Sequence, residues 1–122
     1  MGVVYDSDCL PLNFNRGTLL ASIVLPGHVK VYGFTVTSTN AGSQFVLVFD
    51  SATLPADGAV PLFGVPVVAS NFASAFFGTP GRSFEQGLTL CNSSTLATKT
   101  IGSADCTFDV QYDLVSDGNV VA

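Results

Sequence analysis

Charged side chains are scarce in this sequence. Only 11% of its 122 residues are Asp, Glu, Lys or Arg, whereas soluble domains average roughly 25%. Nine acidic residues outnumber four basic ones, Arg16, Lys30, Arg82 and Lys99, and the formal net charge is −5. Four scattered cations provide no patch for a phosphate backbone, so we expect no direct nucleic-acid binding. The acidic balance also disfavours adhesion to an anionic membrane.

This low charge has two interpretations. A domain of this length has much surface for its volume, so other groups must replace the missing charges on its outside. The first interpretation is a β protein with a surface of Ser, Thr and Asn. The second is that identical or different subunits cover part of the surface in the working state.

Long apolar runs and paired cysteines are also lacking. No stretch approaches about 18 consecutive apolar residues, and the first residues lack the basic and apolar regions of a signal peptide, so we expect neither a transmembrane helix nor secretion. Three cysteines, Cys9, Cys91 and Cys106, form no Cys-x-x-Cys motif. They are typical of reduced thiols made in a cytosol. A bridge between Cys91 and Cys106 remains open.

Catalytic residue combinations are absent as well. The only histidine, His28, cannot by itself form a metal site or a nucleophile triad. Asp105, Asp109 and Asp113 could suggest paired carboxylates, but Asp109 and Asp113 would lie about 13 Å apart along a strand, too far for an acid–base pair. We interpret the three as a solvated acidic strand face. The sequence therefore predicts no enzyme, no catalytic residue, no cofactor and no metal.

Short β-strands are what the sequence does contain. Along residues 106–114, apolar and polar residues alternate, as in a strand with one buried and one wetted face. Seven or eight such segments, separated by turn signals at intervals of roughly 8–12 residues, predict an all-β fold. We predict a single antiparallel β-sandwich of the jelly-roll type over residues 18–122, preceded by an irregular N-terminal arm over residues 1–17.

Three segments have patterns of their own. Residues 44–50 are apolar on both faces of a strand, so a loop, the arm or another subunit should cover the second face. Residues 61–68 contain two prolines, which predicts an edge strand, and Gly33 within a strand indicates a bulge or a close backbone approach. Apolar arm residues and the second face of strand 44–50 are our predicted protein interface: Val3, Val4, Leu10, Leu12, Phe14, Val46 and Val48.

Six segments within residues 30–113 carry a recurrent sequence pattern: 43–50, 54–61, 81–84, 87–95, 97–102 and 104–112. In this pattern residues 30–113 resemble small virion structural proteins of tailed bacteriophages. Some members of this group are jelly-roll decoration (cement) proteins on phage capsids.

The resemblance implies a role on the capsid surface of a virion, after synthesis in the bacterial host cytoplasm. Its implied partner is the major capsid protein, bound across capsomer junctions, with a homotrimer as the first expectation at a threefold position. The alternative is a carbohydrate-binding or fibre-type module that recognises the host, since jelly rolls also serve as lectins. The absence of Trp counts against an aromatic sugar platform.

Overall fold

Nine β-strands make up the regular structure in the computed structural model, which describes residues 10–13, 19–78 and 80–115. No helix occurs in these ranges, so the all-β prediction is confirmed. The strands are β1 (Leu10–Asn13), β2 (Ser22–Pro26), β3 (Val29–Ser38), β4 (Gln44–Asp50), β5 (Phe63–Val67), β6 (Phe72–Phe76), β7 (Arg82–Phe84), β8 (Gly87–Ser93) and β9 (Cys106–Leu114).

The strands pair in a nested order. β1 pairs with β9, β2 with β8, β3 with β6 and β7, and β4 with β5, each antiparallel. Two further antiparallel pairings, β3 with β9 and β4 with β8, join these pairs into sheets. One sheet has the order β1-β9-β3-β6, with β7 also on β3, and the other has the order β2-β8-β4-β5. A long hairpin rolled up in this way is a jelly roll, as predicted.

Local sequence signals explain several features of the sheets. The predicted bulge is confirmed, because the register of β3 against β9 shifts between Val31 and Gly33. A Cβ at Gly33 would lie 2.9 Å from the backbone oxygen of Ala75, so this approach requires glycine. The predicted edge strand is also confirmed, since β5, which contains Pro66, ends the four-stranded sheet.

The main core lies between the two sheets. Its members are buried apolar side chains that alternate along the strands, as the pleat requires, and burying each of them fully contributes roughly 1.5–3 kcal/mol. In β9, Cys106, Phe108 and Val110 point inward and are buried, whereas Leu114 at the strand end is exposed. The bulkiest fully buried members include Phe84, Phe108, Leu88 and Leu90.

Both faces of β4 are buried, but not as we predicted. Val46 and Val48 have no exposed surface and belong to the main core between the sheets. The prediction that they form an outer contact face is therefore wrong for this chain. Leu47 and Phe49 occupy the other face and form a second cluster with Cys91. Since both sets of side chains are apolar, alternation alone could not tell which set faces the core.

Loops of the same chain cover the second cluster. Ala59 and Ile101 pack against it, and two backbone bonds join their loops: the Gly58 N–H donates to the Lys99 C=O at 2.8 Å, and the Lys99 N–H donates to the Ala59 C=O at 2.8 Å. The Lys99 ammonium also donates to the Asp57 carboxylate at 2.5 Å. Of the three covers that the sequence left open, a loop is the one observed.

Part of the predicted irregular arm is regular. β1 lies within residues 1–17 and pairs with β9, with Leu10 opposite Tyr112 and Leu12 opposite Val110. The four residues of β1 therefore form an end strand of the five-stranded sheet. The other predicted arm contacts, Val3, Val4 and Phe14, lie outside the described residues.

Candidate functional site

The three acidic residues singled out in the sequence lie in three different environments. Asp105 is buried and accepts hydrogen bonds from the side-chain amides of Asn40 at 2.6 Å, Asn92 at 3.0 Å and Gln44 at 3.1 Å. The Cys106 thiol also donates to it, at 3.1 Å. Burial alone would raise the pKa of Asp105, but these hydrogen bonds outweigh it and lower the pKa.

Asp105 therefore has a structural position instead of the solvated one we predicted. Its partners lie in the β3–β4 loop, on β4 and β8 of one sheet, and on β9 of the other. The carboxylate thus ties the two sheets together at one end of the sandwich. Its surroundings supply hydrogen-bond donors that are already used, so it offers no free carboxylate for acid–base chemistry.

The other two of these three residues, Asp109 and Asp113, do not form a catalytic pair either. Asp113 accepts a hydrogen bond from the Tyr32 hydroxyl at 2.7 Å, and Asp109 is exposed on the outer face of β9. His28 lies elsewhere, with its Nε2 3.0 Å from the Ser83 hydroxyl. Within the described ranges no group of three or more His, Cys, Asp or Glu residues is arranged to hold a metal ion.

The two described cysteines form no disulfide. Cys91 and Cys106 are both buried thiols, in agreement with the reduced state that we predicted for them. Desolvation raises the pKa of Cys91 to about 11. Desolvation, with the hydrogen bond to Asp105, raises that of Cys106 to about 12. Both thiols are therefore protonated at neutral pH, which disfavours their reaction as nucleophiles.

Exposed apolar side chains are concentrated in one segment of the chain. Nine large hydrophobic residues in the described part of the chain are exposed, and five of these lie between positions 60 and 76: Val60, Leu62, Val68, Phe72 and Phe76. This region includes β5 and β6, each of which ends one sheet. The sequence carries no charged residue from Gly58 to Gly81. We refer to residues 58–81 as the uncharged segment.

A shallow groove crosses the outer face of the five-stranded sheet beside this segment. It has a volume of about 150 Å³ and lies on β6, β3 and β9. Gly33, which has no side chain, and Phe76, which is 80% exposed, both line it. Asp109 and Gln111 add a carboxylate and an amide, and the Thr35 and Ser74 hydroxyls, also in the lining, lie 3.0 Å apart.

Comparisons with known proteins add one distant likeness. No protein-family model matches the chain, and no curated protein matches its sequence. Among solved structures, the coat protein of Tobacco streak virus is similar over 98% of this chain and 99% of its own, with 9% sequence identity and a TM-score of 0.39. So distant a likeness does not establish a shared function.

No helix with the length and apolar character needed to cross a membrane occurs in residues 10–13, 19–78 or 80–115.

The most conspicuous surface feature is not among the features predicted from the sequence. The uncharged segment is visible in the printed sequence as 24 consecutive residues without Asp, Glu, Lys or Arg. As an average over the chain, the scarcity of charge does not show where apolar side chains are exposed. Its concentration in one segment was the signal that could have located the exposed apolar side chains.

Proposed function

We propose that this protein is a non-enzymatic structural component of a virion, and specifically a cement or decoration protein of a tailed-phage capsid. It binds the major capsid protein across capsomer junctions on the outer surface of the head and stabilises the shell. The observation that carries the proposal is the set of exposed apolar side chains in the uncharged segment. Jelly-roll sandwiches are a common architecture of capsid proteins, and the resemblance in residues 30–113 has the same implication.

The physical basis is the burial of apolar surface in assembly. Val60 is 75% exposed, and Leu62 and Val68 are also exposed. Exposed apolar side chains that together form a contiguous patch mark protein contacts. Because a partner that binds only the assembled shell shifts the equilibrium toward that shell, bound copies stabilise the capsid by mass action.

The arm remains part of the proposed contact. Its apolar residues, Val3, Val4, Leu10, Leu12 and Phe14, would add to the buried surface, with Leu10 and Leu12 contributing from β1 at the end of the five-stranded sheet. At a threefold position of the shell, three arms and three sandwiches would form a homotrimer around the axis.

Binding to expanded heads tests the proposal. The purified chain is mixed with expanded heads and with unexpanded proheads from a phage that encodes it, and the bound protein is measured after sedimentation. We expect saturable binding to expanded heads and a higher temperature of DNA release from decorated particles. Val60→Asp should weaken binding at least tenfold, because it places a charge in the apolar contact.

The matched control is Leu114→Asp, since Leu114 is 72% exposed but lies outside the uncharged segment. Equal binding by both variants would show that the uncharged segment is not part of the contact with the capsid. Failure of the unmodified chain to bind heads would refute the decoration role. Loss of binding on deletion of residues 1–9, which keeps β1 and its pairing with β9, would assign part of the contact to the arm.

The groove favours a second candidate, a carbohydrate-binding module for host recognition. A sugar ring has an apolar face that can stack on an aromatic ring and a rim of hydroxyls that donate and accept hydrogen bonds. Phe76, Asp109 and Gln111 present such groups in the groove, which Gly33 also lines. The volume of about 150 Å³ is below the roughly 300 Å³ of sites for drug-sized ligands, so it suits a single ring.

A glycan screen followed by titration calorimetry tests this candidate. The candidate is supported if a specific sugar binds with a millimolar or tighter dissociation constant and if both Phe76→Ala and Asp109→Asn abolish this binding. The matched control is Leu114→Ala, which also removes an exposed apolar side chain but lies outside the groove. A screen without a specific ligand would reject the candidate.

A further inference from the structure

Three of the four strands that end the two sheets contain proline. In the described part of the chain these end strands are β1, β2, β5 and β6, and Pro11, Pro26 and Pro66 lie in the first three. Proline and charge are the usual protections of an edge strand against pairing with another chain. β6, with the sequence Phe-Ala-Ser-Ala-Phe, has neither. The short β7, which continues this edge along β3, carries Arg82.

The backbone of β6 presents free hydrogen-bonding groups at this edge. The Ser38 N–H donates to the Asn71 C=O, and the Phe77 N–H donates to the Tyr32 C=O, each at 2.8 Å. The odd-numbered residues of β6 therefore form the hydrogen bonds with β3. The N–H and C=O groups of its even-numbered residues point away from β3, toward the open edge of the sheet. The N–H and C=O groups of Ser74 and Phe76 have no partner in the described residues. The Phe72 N–H is held by its neighbour, the Asn71 side chain, at 2.8 Å.

The sequence of β6 is the same in both directions about Ser74. An antiparallel copy centred on Ser74 would place Ser74 opposite Ser74, and Phe72 opposite Phe76, twice. These are the even-numbered residues whose backbone groups point outward, so the register that matches the side chains also aligns the hydrogen-bonding groups once the Asn71 side chain releases the Phe72 N–H. We propose that β6 pairs with β6 of a second copy of this chain about a twofold axis through Ser74, which joins two five-stranded sheets into one.

The side chains support this partner. Phe72 is 61% exposed and Phe76 is 80% exposed, and both lie on the outer face of β6 with Ser74. Directly opposite aromatic residues on paired strands attract each other. A twofold contact requires a self-complementary surface, and a palindromic strand provides one.

Charge also favours a second copy as the partner. Two chains with a net charge of −5 repel each other wherever acidic surfaces meet, and like charges at a contact oppose association. The uncharged segment, which contains β6, avoids this repulsion. A contact centred on one five-residue strand is small beside the roughly 1,200–2,000 Å² of stable interfaces, so we expect a reversible dimer. This self-contact does not depend on the virion role and differs from the threefold assembly proposed above.

Sedimentation equilibrium of the full chain at several concentrations is the first test. We expect a monomer–dimer equilibrium with species of 12.6 kDa and twice that mass. Ser74→Lys should weaken the dimer at least tenfold, because it places two ammonium groups face to face at the axis. The control is Gln111→Lys, which adds the same charge at an exposed position on the same sheet face, two strands away from the edge.

Cross-linking tests the register, in a background in which Cys9 is replaced by Ser. A short bismaleimide should link Ser74→Cys chains to each other. It should also link Phe72→Cys chains to Phe76→Cys chains in a mixture. It should not link Phe72→Cys chains to themselves, because those positions are separated by about 13 Å along the strands.

The outcomes separate the hypotheses. A monomer at all concentrations, a dimer equally sensitive to both lysine variants, or equal self-linking at positions 72 and 74 would overturn the β6 pairing. A stable trimer insensitive to Ser74→Lys would likewise overturn it. If the dimer forms as expected but the chain does not bind heads, the pairing stands and only the proposed function fails.

Discussion

Asp105 shows how one polar residue can organise an end of this sandwich. Its carboxylate receives hydrogen bonds from Asn40, Gln44 and Asn92, and its backbone oxygen receives the Thr39 N–H at 2.9 Å. Buried polar groups of this kind are tolerated only when they are paired. The network therefore specifies how the β3–β4 loop and the ends of β8 and β9 meet.

Replacement of Asp105 by Ala should destabilise the protein by about 2–4 kcal/mol, because an unpaired buried donor is costly and the variant creates two of them. The buried amides of Gln44 and Asn92 would each keep one acceptor, Ser38 Oγ and the Ser103 C=O respectively, and would each lose the acceptor of the second N–H. Urea unfolding monitored by circular dichroism would measure the change. Asp109→Ala is the control, since Asp109 is an exposed acidic residue of the adjacent strand, and its effect should stay within about 0.5 kcal/mol. Equal effects of the two substitutions would contradict the structural role of Asp105.

Acid should reduce stability through two carboxyls whose pKa values are lowered on folding. The hydrogen bond from Lys99, followed by that from the Ile101 N–H, lowers the pKa of Asp57, and the network described above lowers that of Asp105. Between the ordinary value of 3.8 and the lower folded values, the unfolded chain binds more protons than the folded one. This stabilisation is complete above the unfolded pKa and is lost as the pH falls through the folded values.

Urea midpoints at pH 6, 5, 4 and 3 would measure this loss. We expect the midpoint to fall mainly below pH 4. The combined variant Asp57→Asn, Asp105→Asn should show a smaller pH dependence in this window than the unmodified chain. An unchanged pH dependence in the double variant would show that other groups are responsible.

At the level of elements, the loops over β4 replace a subunit as the cover of its second apolar face. The salt bridge between Lys99 and Asp57 joins these loops, but the two side chains differ in their exposure to solvent. The Lys99 side chain is 3% exposed, whereas that of Asp57 is 55% exposed. Removing either partner therefore leaves the other in a very different environment.

This asymmetry predicts unequal effects of two substitutions. Asp57→Ala should lower the melting temperature more than Lys99→Met, because it leaves a buried ammonium group without its carboxylate. Lys99→Met leaves an exposed carboxylate in water and keeps an apolar side chain of similar length over the cluster. Scanning calorimetry of both variants at pH 7 measures the difference. A larger loss for Lys99→Met would contradict the proposed importance of the buried charge.

For the whole molecule, sequence patterns predicted most of the architecture and little of its surface. Strand alternation and turn spacing predicted the jelly roll, and Pro66 and Gly33 marked an edge and a bulge. These signals are local, so they can be recognised without knowing which strands are neighbours. The orientation of Val46 and the burial of Asp105 depend on residues far away in sequence, and no local pattern contains that information.

Salt should strengthen self-association if the uncharged segment forms the contact. Each chain carries a net charge of −5, so the two approaching chains repel at low ionic strength, and no ion pair across β6 would offset this. The screening length falls from about 30 Å at 0.01 M to about 8 Å at 0.15 M ionic strength. The dissociation constant of the dimer should therefore decrease severalfold over this range. Sedimentation equilibrium at both salt concentrations measures it, with Asp109→Asn, which has one negative charge fewer, expected to show a smaller salt effect. An affinity that falls with salt would instead indicate attractive charge pairs between the chains and would exclude the uncharged segment as the main contact.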